Sequence, residues 1–237
     1  MIDTKKRSIT KALSWRLLAF FLLSVISYAV TGSIKESSEI TVAYHTVQVF
    51  LFFLHERFWI TLRWGRTKGL FVQMTGLSGS GKSTLAKETQ RRLMKKGFMV
   101  EVIDGDEYRE GLCKDLGFSK EDRNTNIRRL GFVGKILSRN DVITIMSAIN
   151  PYEEVRAEVR KMGNNVKTVF VDCNLDTLIE RDTKGLYKKA LSGEIKNFTG
   201  VSDPFDPPYV CDLTLNTTDE NMNKTANKLE KFILENI

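Results

Sequence analysis

The sequence predicts an α/β fold with a doubly wound parallel sheet, preceded by an α-helical transmembrane hairpin. Three observations lead there. Two apolar runs fill the first quarter of the chain, a glycine-rich loop follows a β-type run at Leu70–Thr75, and short apolar runs then alternate with helical stretches. The predicted division is residues 1–66 for the hairpin and 67–237 for the α/β domain.

Composition narrows the alternatives. With 237 residues, 42% of them hydrophobic, and only 4 Pro, wholesale disorder and collagen are excluded. Residues 1–68 carry ten Lys/Arg against four Asp/Glu, leaving 26 against 25 for the rest. The basic excess therefore belongs to the first quarter, and no broad basic stripe of the kind that binds nucleic acid is left in the remainder. Cys113, Cys173 and Cys211 lie far apart without CxxC or Cys/His grouping, so buried structural thiols are expected, not a disulfide framework or a zinc site.

The first apolar run extends from Ala12 to Val30 with Arg16 as its only charge, and the second from Ile40 to Leu54 with none. Each reaches spanning length when its aromatic flanks are counted. A cleaved signal peptide is opposed by the second run and by the lack of a small-x-small cleavage site. A soluble buried helix pair is the alternative. The connector 31–39 has one Lys and two Glu, whereas Lys5, Lys6, Arg7 and Lys11 precede the first run and Arg57, Arg63, Arg66 and Lys68 follow the second. This asymmetry predicts both termini, and the second domain, on the cytoplasmic side of the cytoplasmic membrane. Trp15, Trp59 and Trp64 sit at the run edges, as an interfacial belt would have them. His45, mid-run, is expected to make a helix-to-helix hydrogen bond, with a proton or metal role as the alternative. Residues 4–66 also resemble a small family of two-helix membrane modules of unassigned function.

After a basic linker at about 61–69, the run Leu70–Thr75 leads into Gly76-Leu77-Ser78-Gly79-Ser80-Gly81-Lys82-Ser83, and a helical pattern continues from Thr84 to Lys96. GxxxxGK[ST] between a strand and a helix is a phosphate-binding loop, which implies ATP with Mg²⁺. Its glycines let successive N–H groups converge, and the following helix N-terminus favours anions. Lys82 is expected to reach the β- and γ-phosphates and Ser83 to offer its hydroxyl to Mg²⁺. Further strands are predicted at 98–103, 142–146, 166–171 and 213–215. Helices are predicted near 122–139, 152–162, 175–181 and 219–235. Ligands of such a sheet gather at the strands' C-terminal ends, where the phosphate loop, Asp104-Gly-Asp106 and Ala148-Ile149-Asn150-Pro151 all fall.

The run Asp104-Gly-Asp-Glu-Tyr-Arg109-Glu-Gly-Leu-Cys-Lys-Asp-Leu-Gly-Phe118-Ser-Lys-Glu-Asp-Arg123-Asn-Thr-Asn126-Ile-Arg128-Arg129 closely resembles the DGDxxRxGLxxDLGFSxxDRxxNIRR stretch of the adenylylsulfate (APS) kinases. Arg181-Asp-Thr-Lys184-Gly-Leu-Tyr-Lys188-Lys189-Ala and Gly193-Glu-Ile-Lys196-Asn-Phe198-Thr-Gly200 are similar to that family's lid. The likeness covers about residues 68–237. It implies a P-loop kinase that uses ATP to phosphorylate the ribose 3′-hydroxyl of adenylyl sulfate, giving 3′-phosphoadenylyl sulfate in sulfate assimilation. Homodimers occur in the family, so a homodimer is an expectation.

The residue chemistry fits the resemblance. Asp104 and Asp106 end a strand beside the phosphate loop, where one carboxylate can accept the hydroxyl proton and the other can face Mg²⁺. Asp104 is favoured for the first role and Asp106 for the second, although spacing does not separate them, and turn capping is the bland reading of both. Arg109, Arg123 and Asn126 offer donors to a phosphosulfate group, and Phe118 and Phe198 offer ring faces to a purine. Ile149, Asn150, Lys184 and Lys189 are assigned to the acceptor side and Arg181 to the nucleotide. Arg128, Arg129, Lys188 and Lys189 can equally be solvated helix faces, and Phe118 can be simple core.

One residue departs from the pattern. The family commonly has Ile-Ser-Pro-Tyr, with the serine proposed as a phosphoryl acceptor, where this chain has Ile149-Asn-Pro-Tyr152. An amide cannot form a phosphoserine, so that role does not carry over, and Ser147 is the nearest hydroxyl. A kinase for another nucleotide-linked group such as a CDP-phosphoramidate, and a membrane-tethered nucleotide sensor without turnover, are the alternatives.

Overall fold

The structure, a computed structural model, describes residues 5–61 and 68–237. Arg63, Trp64, Arg66 and most of the basic linker lie outside the described residues, as do the side chains of Lys5, Lys6, Arg7, Lys11 and Trp59. Two compact units are present, Met1–Arg66 and Thr67–Ile237.

The first unit is a pair of helices, α1 (Lys5–Thr31) and α2 (Ile34–Thr61). Only Gly32 and Ser33 separate them. The expected connector is therefore mostly helical, because Lys35, Glu36 and Glu39 are polar enough for an interface yet still good helix formers. Across the pair, Ser37 Oγ donates to the Ser24 carbonyl at 2.9 Å. His45 stacks on Phe20 at 5.2 Å with its Nε2 unpartnered, so the ring makes an aromatic contact and not the expected hydrogen bond. Among the described residues, Ser14–Thr31 is the one segment long and apolar enough to cross a membrane. In α2, Thr41, His45, Thr46 and Gln48 dilute the apolar run.

In the second unit, β1 (Leu70–Thr75) is central and every residue is buried, with Leu70, Val72 and Met74 on one face and Phe71 beside the hydrogen-bonded Gln73 and Thr75 on the other. Around it lie α3 (Lys82–Lys95), β2 (Val100–Asp104), α4 (Gly105–Gly111), α5 (Lys120–Arg139), β3 (Ile143–Ser147), α6 (Glu153–Arg160) and β4 (Val166–Asp172). The chain then forms α7 (Leu175–Arg181), α8 (Leu186–Leu191), β5 (Leu213–Asn216) and α9 (Met222–Glu235). All strand pairs are parallel, in the order β2-β3-β1-β4-β5. The predicted strands are all present with ends shifted by one or two residues, whereas α4 and α8 were not expected.

The alternation along β1 builds two cores. Leu70, Val72 and Met74 pack with Leu85 and Leu93 of α3 and Leu229 and Ile233 of α9. On the other face, Phe71 packs with Ile127 and Leu130 of α5 and Val155 and Val159 of α6. A third cluster packs Tyr187, Ala190 and Phe198 of the segment read as a lid with Cys173 and Leu178. Cys113 and Cys173 are buried as expected, but Cys211 is only half-buried, its thiol bonding to the Leu213 carbonyl.

Candidate active site

Three parallel strand ends create the site. Register pairs Met74 with Ser147 and Ser147 with Asp104, so the phosphate loop after β1, the end of β3 and the acid pair after β2 stand side by side. The loop depends on glycine at its first residue. Gly76 has φ +149°, and a Cβ there would lie 2.4 Å from the Val171 carbonyl. Gly81, at φ +89°, precedes α3, whose first N–H groups receive no side-chain cap and remain available to an anion.

Lys82 is buried and folds back across the loop, donating to the carbonyls of Gly76 at 2.9 Å and Leu77 at 2.7 Å. Burial pulls its pKa down to about 8, a fall opposed by Asp106 and Asp104 and reinforced by Lys184. Ser83 Oγ lies 3.2 Å from Ser147 Oγ. Ser80 is buried, and its carbonyl accepts from the Thr217 hydroxyl at 3.1 Å. Thr84 is exposed in the first turn of α3.

Asp104 is buried and does cap a turn, its Oδ1 accepting from the Asp106 N–H at 3.0 Å to start α4. Asp106 is exposed and takes a 2.6 Å bond from Lys184 Nζ, which reaches over from the chain between α7 and α8.

Beside this pair opens a cavity of about 670 Å³. It gathers Asp106, Arg109, Phe118, Arg123, Asn126, Ile149, Asn150, Lys184 and Phe198. The guanidinium of Arg109 stacks on the exposed Phe118 ring at 4.1 Å, and that of Arg123 lies 5.8 Å from the same ring. Arg123 also donates to the Phe118 carbonyl, to Thr199 Oγ1 at 2.9 Å and to the Asn197 carbonyl at 2.5 Å, tying α5 to the lid. Asn126 is buried with an unpartnered Oδ1. The Ile149 carbonyl accepts from Gly76 N–H. Asn150 takes φ +47°, and its Nδ2 donates to Gln73 Oε1 at 3.2 Å. Phe198 is buried, meeting Tyr187 edge-on at 5.1 Å.

Some expected residues lie elsewhere. Lys189 does not line the cavity and pairs with Glu194 at the surface, because its turn of α8 faces outward. Arg128 and Arg129 likewise form exposed pairs with Glu158 and Asp115. Arg181 sits near Ser78 and Gly79 and donates to the carbonyls of Thr217 and Thr218.

Tyr187 escaped the sequence reading. Its hydroxyl donates to the Ser78 carbonyl at 2.8 Å, and burial pushes its pKa up to about 12. It lies inside the lid stretch, where the chemistry is expected of Arg181, the lysines and Phe198. Leu77 meets the lid too, since a Cβ on Gly200 would fall 2.7 Å from its Cδ2. The Thr217 contact with the loop carried no sequence signal.

Comparison with known proteins agrees with this geometry. Residues 68–216 match the family described as adenylylsulphate kinase, and residues 9–60 match one described as predicted membrane protein (DUF2061). An adenylyl-sulfate kinase of Microcystis aeruginosa is 51% identical over 172 residues, covering 70% of this chain and 94% of that protein. One from Chloroflexus aurantiacus is 55% identical over 149 residues, covering 63% and 80%. The Mycobacterium tuberculosis APS kinase CysC, solved in complex with AMPPNP and APS, superimposes with a TM-score of 0.68 at 42% identity, covering 71% of this chain and 99% of that one. The chain therefore belongs to the adenylylsulfate kinase family.

Proposed function

We propose that the chain transfers the γ-phosphoryl group of ATP to the ribose 3′-hydroxyl of adenylyl sulfate, releasing ADP and 3′-phosphoadenylyl sulfate. The observation that carries this reading is the continuity of the site. The cavity bearing Arg109, Arg123 and Phe118 is lined as well by Ser78 of the phosphate loop and by Asp106 of the acid pair, while Lys82, Ser83 and Asp104 lie outside its lining. Membership of the family supplies the acceptor, through the names its relatives carry.

In this reading Lys82 leaves the loop carbonyls for the β- and γ-phosphates, and the N–H groups of Gly76–Ser83 hold the phosphate oxygens. The buried Asp104 spends one oxygen on its cap and has the other for the acceptor proton, which leaves as the ribose oxygen bonds to phosphorus and the bond to ADP breaks. Ser83 and Asp106 offer hard oxygen donors, which suit Mg²⁺ and its retained waters. Bound with ATP, Mg²⁺ would neutralise phosphate charge. Lys184, released from Asp106, is free to pair with a phosphate. Arg109 and Arg123 hold the phosphosulfate, Phe118 gives the purine a face, and the α7–α8 segment with Phe198 excludes water. Arg181 stands on the nucleotide side.

The domain boundary near residue 66 and the membrane attachment belong to the same proposal. Leu17, Phe21, Val25, Phe50 and Phe52 are each at least half exposed on the helix pair, leaving apolar surface for lipid to cover. The Lys/Arg asymmetry then places the kinase on the cytoplasmic face. Full-length protein should resist carbonate extraction, and the kinase should be protected from protease in intact spheroplasts. Digestion without lysis would reverse the topology. Self-association, expected as a homodimer, is read by light scattering of the detergent-solubilised chain.

Asn150 is the one residue that favours a different acceptor. Its left-handed backbone, which Asn tolerates, and its bond to Gln73 account for it locally. Incubation with Mg-ATP and, separately, adenylyl sulfate, a CDP-linked acceptor and shikimate tests the choice. ADP release only with adenylyl sulfate is expected. Release only with the CDP-linked acceptor would replace the assignment, and no release with any would leave a nucleotide sensor.

A further inference from the structure

We propose that Ser147 is a positioning residue that holds the Ser83 hydroxyl in the orientation needed to ligate the cation accompanying ATP. The proposal rests on the reading of Ser83 as a metal-side hydroxyl and assigns the side chain that orients it.

Ser147 is the last residue of β3, 2% exposed, and stands in register between Met74 of β1 and Asp104 of β2. Its backbone is fixed from both sides. The start of α4 also packs against it, a Cβ on Gly105 falling 3.3 Å from the Ser147 carbonyl. The side chain therefore has little freedom, and its oxygen lies 3.2 Å from Ser83 Oγ with either able to donate. A hydroxyl that binds a cation through a lone pair must send its proton elsewhere. Ser147 Oγ, 3.2 Å away, is an acceptor within reach for that proton.

Chemistry elsewhere in phosphate-loop proteins clarifies the role. Their loop Ser/Thr commonly works beside a strand-end aspartate, which shares the cation. At the end of β3 this chain has a neutral hydroxyl instead, and its carboxylates come from the next strand over, at Asp104 and Asp106. Ser147 thus supplies orientation without charge. Its burial and its fixed partner also argue against its acting as a phosphoryl acceptor.

The test measures binding of a non-hydrolysable ATP analogue to full-length protein by calorimetry, with Mg²⁺ and with EDTA, and uses no adenylyl sulfate. Ser147→Ala should weaken the Mg²⁺ complex roughly three- to tenfold while leaving metal-free binding unchanged. Ser147→Thr, which keeps the hydroxyl, should restore it. A double-mutant cycle gives a second reading that does not depend on the extra methyl of threonine: on a Ser83→Ala background, Ser147→Ala should add nothing. Equal loss with and without Mg²⁺, no loss in either, or full additivity in the cycle would overturn the proposal. Wild-type affinity indifferent to Mg²⁺ would instead remove the metal reading of Ser83 itself, and this role with it.

Discussion

Lys82 Nζ lies 2.7 Å from the carbonyl oxygen of Leu77, five residues before it in the same loop. The ammonium proposed to meet the phosphates thus rests on the loop's own carbonyls, those of Gly76 and Leu77. Lys82→Ala should lower kcat/KM for ATP a hundredfold or more, on the order of 3 kcal/mol of transition-state stabilisation, with the circular-dichroism spectrum unchanged. Turnover within threefold of wild type would remove Lys82 from the catalytic set.

The same residue predicts a proton linkage. Burial lowers the Lys82 pKa from 10.5 to about 8, so the nucleotide-free protein loses this proton as pH rises through about 8. The unfolded chain keeps it until near 10.5, so this group's contribution to folding stability increases between those values. Phosphate oxygens favour the charged form. Nucleotide binding at about pH 9 should therefore take up a proton, and binding at about pH 6.5 should show no uptake from this group. Calorimetry in buffers of different ionisation enthalpy reads the difference. Uptake that persists in Lys82→Ala would assign it to another residue.

Arg123 joins the two sides of the acceptor cavity, since one guanidinium bonds the Phe118 carbonyl and the lid at Asn197 and Thr199. Arg123→Ala should raise KM for adenylyl sulfate by roughly ten- to a hundredfold and leave KM for ATP nearly unchanged. Arg123→Lys should recover little of it, because a single ammonium cannot reproduce the fork. A defect confined to ATP would contradict the assignment.

Much of this site was legible because its chemistry is local in sequence. The phosphate loop and Asp104-Gly-Asp106 are contiguous motifs at strand ends, and β1 and α7 begin and end where the residue pattern breaks. What escaped was either short or long-range. Helix α4 opens with Gly105 and has only seven residues, and α8 lies between Gly185 and Gly193, so both read as loop. Helix α2 starts six residues before the apolar run because charge does not end a helix. Arg123 meets Asn197, and Tyr187 meets Ser78, through tertiary packing that no spacing rule encodes. Lys189 shows the converse, a residue in a matching motif that the turn of its helix carries outward.

Transfer should be direct, from ATP to the acceptor hydroxyl. Asn150 has no hydroxyl and is buried against Gln73, and Ser147 is held by Ser83. Initial-rate kinetics should be sequential. Asn150→Ser should leave activity within about an order of magnitude, because positioning and electrostatics supply most of the catalysis. It should cost about 1 kcal/mol of stability through the lost bond to Gln73. An acid-resistant phosphoprotein formed from ATP alone, labelled at Ser147 and lost with turnover in Ser147→Ala, would contradict direct transfer.

The central claim concerns one bond, between the γ-phosphorus of ATP and the 3′-oxygen of adenylyl sulfate. Incubating the full-length protein with Mg-ATP and adenylyl sulfate and locating the new phosphate by phosphorus NMR tests it most directly. The account predicts a single product phosphorylated at the ribose 3′ position, formed in equal amount with ADP. Phosphate at any other position, or ADP formed without a phosphorylated nucleotide, would contradict it.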